Sequence, residues 1–152
     1  MLCYKKEFGH NETGYRTISY RLTDGTTGTF YYDDITVDTS DMSCFKGLET
    51  LHAEGIQFKS GDLKGLSELT ELWCGNSIKE IGQFSCADRL KSVGTNTSLA
   101  FGDMEGVEKL SGIESLRINS RYIQDIKMIK NLKGLKSLTI INGNSIENFS
   151  VL

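Results

Sequence analysis

Apolar residues recur at every third position over long stretches of this chain, and that spacing excludes most folds. Phe101, Met104, Val107, Leu110, Ile113 and Leu116 form one run; Ile123, Ile126, Ile129, Leu132, Leu135 and Leu138 form another. An α-helix turns by about 100° per residue, so a step of three falls about 60° short of a full turn. Such a stripe would circle the helix instead of keeping to one face. A β-strand alternates with a period of two, which these runs also break. Successive triplets fit a coil that is partly 3₁₀-like and partly extended and that turns its apolar residues into one shared interior. The same run occurs earlier as Ile78, Ile81, Phe84, Ala87, Leu90 and Val93, and in shorter form as Leu63, Leu66, Leu69 and Leu72. The chain is built of repeats.

From Met42 onward the repeats align on one residue each, namely Leu51, Leu72, Val93, Leu116 and Leu138, at intervals of 21, 21, 23 and 22 residues. Around each lies a short β-like string: Glu49–Ala53, Thr70–Cys74, Lys91–Thr95, Glu114–Ile118 and Lys136–Ile140. In each string the aligned residue and the one two further on are expected to point inward, and their neighbours outward. Residues 1–41 lack the triplet. There, Ile18, Tyr20 and Leu22 alternate, Thr23–Gly28 is turn chemistry, and β-prone residues resume at Thr29. This predicts a hairpin of roughly 15–22 and 28–37. A first coil has no neighbour to cover it, so the hairpin is expected to close the open end of the core. Tyr15, Tyr20, Tyr31 and Tyr32 suit cap residues with wet hydroxyls; a tyrosine binding patch is the alternative. The expected organisation is a single domain, 1–152, with an N-terminal β cap over 1–41 and about five repeats over 42–152.

The strings Leu69-x-x-Leu72-x-Cys74, Ile113-x-x-Leu116-x-Ile118 and Leu135-x-x-Leu138-x-Ile140 resemble the leucine-rich repeat, Leu-x-x-Leu-x-Leu-x-x-Asn. Short repeats that end as Gly75-Asn-Ser-Ile-Lys-Glu-Ile81 and Gly143-Asn-Ser-Ile-Glu-Asn-Phe149 are similar to the internalin-like bacterial class. The resemblance implies an α/β solenoid, with a curved parallel sheet on the concave face and an irregular or helical convex side. It also implies protein binding through the concave face, an analogy from fold and not from a site. The chain departs from the pattern in places. The asparagine that bonds backbone groups after the strand is displaced to Asn76 in the second repeat and to Asn142 or Asn144 in the fifth. Ile56 and Arg121 stand at its place in the first and fourth. Thr95 replaces an apolar residue in the third repeat, whose tail Gly94–Ser98 is polar, so the third coil is expected to be the loosest. Ile146, Phe149 and Leu152 begin a further half-coil, expected to act as a lid, with cover by a second molecule as the alternative.

A sheet covered by protein on one face leaves the other to water or a partner. The outward residues fall in columns. The middle column is His52, Trp73, Gly94, Arg117 and Thr139; before it stand Thr50, Glu71, Ser92, Ser115 and Ser137, and after it Glu54, Gly75, Asn96, Asn119 and Ile141. Tryptophan and arginine most often anchor interfaces, and Trp73 is the only tryptophan. The candidate partner-binding residues are therefore His52, Glu54, Glu71, Trp73, Asn96, Arg117, Asn119 and Thr139. The competing readings are that Trp73 folds onto the hairpin or a turn, and that Arg117 pairs with a glutamate on the outer rim.

Catalytic chemistry finds little support. His10 and His52 are the only histidines, and Cys74 is expected to point inward, away from His52, which speaks against a nucleophile–base pair. Glu54 and Glu71 in adjacent coils read as an acidic patch before they read as acid–base partners. Gly47, Gly65, Gly106, Gly112 and Gly134 fall at turns between triplets and form no phosphate loop. Cys3, Cys44, Cys74 and Cys86 show no zinc or redox spacing, so small buried hydrophobes in a reducing compartment are expected, with a disulfide or reactive thiol as the alternative. Cys3 and His10 lack a third metal ligand nearby. No cofactor or metal is expected, and the protein is read as not an enzyme.

A net charge of −3 gives no reason to seek nucleic acid or an anionic membrane. The start lacks the apolar core of a signal peptide, and no apolar run reaches the length of about 18 residues that suggests a bilayer span. A cytoplasmic location is the expectation. The absence of proline fits turns whose backbone donors are used from coil to coil. A small acidic chain of this kind suits an inhibitor or immunity-type protein that masks a basic toxin or enzyme, since opposite charge speeds encounter. It would then be a monomer or a partner-bound heterodimer. The alternative is a fragment of a bacterial surface or adhesion protein that binds a host or cell-wall ligand.

Overall fold

The computed structural model describes residues 16–32, 42, 45–53, 56–76, 78–96, 104–119 and 123–150. Two antiparallel strands come first, β1 (Arg16–Leu22) and β2 (Thr27–Tyr32). The turn between them follows from its chemistry: the Asp24 carboxylate accepts the Thr26 N–H at 2.9 Å, and Leu22 N–H bonds Thr26 C=O at 2.8 Å. The side chain of Asp24 thereby mimics a backbone turn. Residues 33–37, expected to continue β2, lie outside the described residues.

Strand β1 then pairs antiparallel with β3 (Leu48–Ala53), with Tyr20 opposite Leu51 and Ser19 opposite His52. From β3 the sheet is parallel through β4 (Glu71–Cys74), β5 (Ser92–Asn96), β6 (Ser115–Asn119) and β7 (Ser137–Ile141). The described residues thus form a seven-stranded mixed sheet in the order β2-β1-β3-β4-β5-β6-β7. Leu51, Leu72, Val93, Leu116 and Leu138 stand in one register row across it, as the alignment predicts. Backbone pairing also extends ahead of the strands. Thr70 N–H bonds Glu49 C=O, Lys91 bonds Thr70, Glu114 bonds Lys91 and Lys136 bonds Glu114, at 2.7–3.0 Å.

The segments that return from one strand to the next explain the period of three. In them, the N–H of one triplet residue donates to the carbonyl of the triplet residue before it. Phe84 bonds Ile81, Ala87 bonds Phe84, Leu110 bonds Val107, Ile113 bonds Leu110, Ile129 bonds Ile126 and Leu132 bonds Ile129. Each such bond spans three residues, the 3₁₀ interval, so side chains three apart come into line. Continuous helix is short: α1 (Ile78–Ile81) and 3₁₀ turns at Val107–Lys109 and Lys127–Asn131. Successive coils lie close together. A Cβ on Gly106, which has φ +90°, would sit 2.8 Å from the Cα of Lys79 one coil earlier, so a side chain there would push the coils apart.

All the triplet residues from Leu63 to Leu132 that are described are buried, together with Ala53, Cys74, Cys86 and Ile118. Burying one such aliphatic side chain is worth about 1.5–3 kcal/mol, which is what holds coils of so little regular helix together. Ile18, Tyr20 and Leu22 of β1 pack against this core from the hairpin side, and Tyr20 meets Phe45 edge-on at 5.9 Å. At the other end cover is partial. Leu135, Leu138 and Ile140 are half-buried, Ile146 is buried and Phe149 is 51% exposed. The segment after β7 therefore shields the last coil only in part. Thr95 is buried, while the rest of the polar tail beyond Asn96, and Phe101, lie outside the described residues.

Candidate functional site

Strand alternation decides which side chains reach the face of the sheet away from the core. Leu51 and Ala53, Leu72 and Cys74, and Leu116 and Ile118 go inward and are buried. Their neighbours Thr50, His52, Glu71, Trp73, Ser115 and Arg117 are half-buried, and Ser137 and Thr139 are exposed. The backbone register sets His52, Trp73, Gly94, Arg117 and Thr139 side by side across β3–β7.

Three of these side chains form one stack. The His52 ring lies nearly parallel to the Trp73 indole, 16° between planes and 4.4 Å between centroids. The guanidinium of Arg117, two strands away on the other side, sits 5.0 Å from the centre of the same ring. Gly94 makes this reach possible: it stands between Trp73 and Arg117 in the register, and a Cβ there would lie 2.8 Å from the Trp73 Cγ. The indole lies over the position of the missing side chain and hides the backbone beneath, which is why Gly94 is buried on an otherwise half-open face. Trp73 therefore turns toward the third coil, neither onto the hairpin nor into the core. Glu71 completes the group, with its Oε1 2.6 Å from His52 Nε2. A stacked aromatic pair contributes about 0.5–1.5 kcal/mol and an exposed cation–π contact about 0.5–1 kcal/mol. These weak contacts share one ring and so fix a common orientation.

Trp73 also carries an unmet demand. Its indole Nε1 is buried, with no hydrogen-bond partner among the described residues. A buried donor left without an acceptor costs about 1–3 kcal/mol. Arg117 differs, being half-buried and not a buried unmet donor; among the described residues it contacts the ring and not a carboxylate. Four other cations of the described residues are in ion pairs: Arg21 with Glu49, Lys79 with Glu105, Lys127 with Asp125 and Lys136 with Glu114. The outer-rim glutamate pairing considered for Arg117 is not found there.

Of the other expected site residues, Thr139 is exposed at the end of the column. Asn96 and Asn119 stand opposite each other in the β5–β6 register, but their side chains lie outside the description. Glu54 lies outside the described residues, as do Cys3, His10, Cys44 and Arg121; of Tyr15, Tyr31 and Tyr32 no side chain is described. The hairpin contributes more to this face than its sequence role as a cap suggested. Ser19 and Arg21 point the same way as His52 and Thr50; Arg21 donates to Thr50 Oγ1 at 3.3 Å and bridges Glu49 at 3.2 Å. The signal for this was the same alternation that put Ile18, Tyr20 and Leu22 inward.

Cys74 is buried on the core side, opposite His52, and burial pushes its thiol up to about 12. Burial also raises Cys86. Neither thiol is placed or ionised to act as a nucleophile with His52. Among the described residues no group of three His, Cys, Asp or Glu side chains is placed to hold a metal ion. No helix of the described residues is long and apolar enough to cross a membrane. In comparisons with known proteins, no family model matches this chain, and no curated protein or solved structure does so either.

Proposed function

We propose that the chain is a leucine-rich-repeat solenoid that binds another protein, without catalysis, on the sheet face bearing His52, Glu71, Trp73, Arg117 and Thr139. One observation carries this reading. The chain's only tryptophan, stacked between groups from β3 and β6, lies on the face that its own core leaves uncovered. Parallel sheets are normally covered on both faces. Here a half-buried aromatic, a guanidinium and a row of hydroxyls hold the place of the second cover. Trp and Arg at the centre of such a face, ringed by small polar residues, have the composition of an interface anchor.

The net charge of −3 supports a basic partner at the stage of encounter, because long-range attraction raises association rates. An inhibitor or immunity-type protein that masks a basic toxin or enzyme has those properties. The test is quantitative capture from the native host, comparing wild type with Trp73→Ala/Arg117→Glu. The reading expects one stoichiometric basic protein that the wild type retains and the double variant loses. Equal retention by a folded double variant would place binding elsewhere on the molecule.

A further inference from the structure

We infer that the contact made at Arg117 is with a carboxylate, presented by an aspartate or glutamate side chain of the docked protein. This deepens the protein-binding reading and rests on it. The half-buried Arg117 guanidinium is held against the Trp73 ring and, among the described residues, has no carboxylate partner. The Trp73 indole N–H, by contrast, is buried out of an incoming group's reach and serves only to report on the ring. The guanidinium is a donor only. A carboxylate supplies two acceptor oxygens and the opposite charge, and its planar geometry matches the guanidinium fork. The carboxylate of the group, Glu71, is already engaged by His52 at 2.6 Å. Ser92 and Ser115 stand one register row away on β5 and β6, and Ser137 follows on β7. The acidic side chain thus arrives among neutral hydroxyls that can bond its flanking backbone and do not repel it. The two charge effects act at different distances. The whole chain's negative charge acts at encounter, whereas the bare guanidinium acts only at contact, within the reach of a hydrogen bond. Stacking on Trp73 holds that guanidinium ready, which lowers the cost of fixing it when the carboxylate arrives.

The test uses the full chain labelled with ¹⁵N. The side-chain N–H signals of Arg117 and of the Trp73 indole are followed while short amidated peptides are added. One peptide carries an internal glutamate, a second carries glutamine in its place, a third is the glutamine peptide with a free C-terminal carboxylate, and sodium acetate is the fourth probe. The expected result is a saturable shift of both signals with the glutamate peptide. Binding of the glutamine peptide should be weaker by about tenfold or more, the loss of one charge-assisted hydrogen bond. Arg117→Gln should abolish the shift while leaving the backbone spectrum of the sheet intact. Equal response to glutamine and glutamate, an equal response to acetate or to the free C-terminus, or no response would each overturn the inference. If the inference fails while Trp73→Ala/Arg117→Glu still loses the captured protein, the docking face stands and only its chemistry is wrong.

Discussion

The residue on which the site turns is one with no side chain. Gly94 does not have the positive backbone angle that usually demands glycine; it is required because the Trp73 ring occupies the space of its Cβ. Gly94→Ala therefore removes no interacting group and imposes no backbone strain, yet displaces the indole from between His52 and Arg117. Trp73 fluorescence should shift to the red as the ring moves into water, and partner capture should fall as far as in Trp73→Ala. Stability should change by about 1 kcal/mol or less, because alanine suits a strand better than glycine and offsets the lost stacking. An unchanged emission spectrum in a folded Gly94→Ala protein would show that the ring does not depend on this gap. The residues of the stack were all legible in the sequence as one column, His52, Trp73, Gly94 and Arg117. Their mutual arrangement was not. Alternation fixes which face a side chain leaves from, but whether the indole leans toward the first coil or the third depends on the volume of neighbours in other repeats.

At the scale of the element, Asn76 shows how a departure from a motif is accommodated. It stands one position before the expected asparagine, yet it is 1% exposed and bonds the preceding coil twice: Phe58 N–H donates to its Oδ1 at 2.7 Å, and its Nδ2 donates to Phe58 C=O at 2.8 Å. Asn76→Ala would leave a buried N–H and a buried C=O of Phe58 without partners, at a cost of about 2–3 kcal/mol. A urea titration followed by circular dichroism should show the midpoint fall with the slope unchanged. A loss below about 0.5 kcal/mol would mean that water takes over both bonds. The asparagine does its work from the shifted position because strand β4 ends at Cys74, and the turn bends immediately, at Gly75 and Asn76. Motif spacing measures distance along the chain, whereas the bond depends on distance between coils. The triplets themselves were readable because the period of a hydrogen bond, three residues, is also the period of burial along these returns. Where that bond pattern gives way to isolated turns, as after Asn142, sequence spacing lost its hold, and the partial cover over Leu138 and Ile140 was not foreseeable.

At the scale of the whole molecule, the strands β3 to β7 among the described residues each pair with the next in sequence, and the returns between them also meet, as Gly106 does Lys79. Where contacts run mainly between such neighbours, stability is close to a sum of nearest-neighbour terms. Surface carboxylates are held partly across neighbouring segments and partly within their own turns. Lys136 holds the Glu114 carboxyl below its ordinary value, the Thr26 N–H does the same for Asp24, and bonds to Lys127 lower Asp125. A carboxyl whose folded pKa is depressed contributes stability that is present above its unfolded value and is lost as pH falls through the folded one. Unfolding midpoints should therefore drop below the ordinary carboxylate range, and Lys136→Met should weaken that acid dependence by removing Glu114's share. The thiols act in the opposite direction. Cys74, raised by burial, favours folding fully below its ordinary value of 9.0, and that contribution fades as pH rises toward about 12. Because Cys74 and Cys86 are both fully covered, neither can be alkylated until its coil opens. Iodoacetamide labelling at neutral pH, read by peptide mass spectrometry along a urea series, then reports on cooperativity. If the second and third coils unfold as one unit, the two cysteines become reactive at the same midpoint, and that midpoint coincides with the loss of circular dichroism. Earlier labelling of Cys86, on the return that leads to β5, would show that the third coil separates from the second before the sheet is lost.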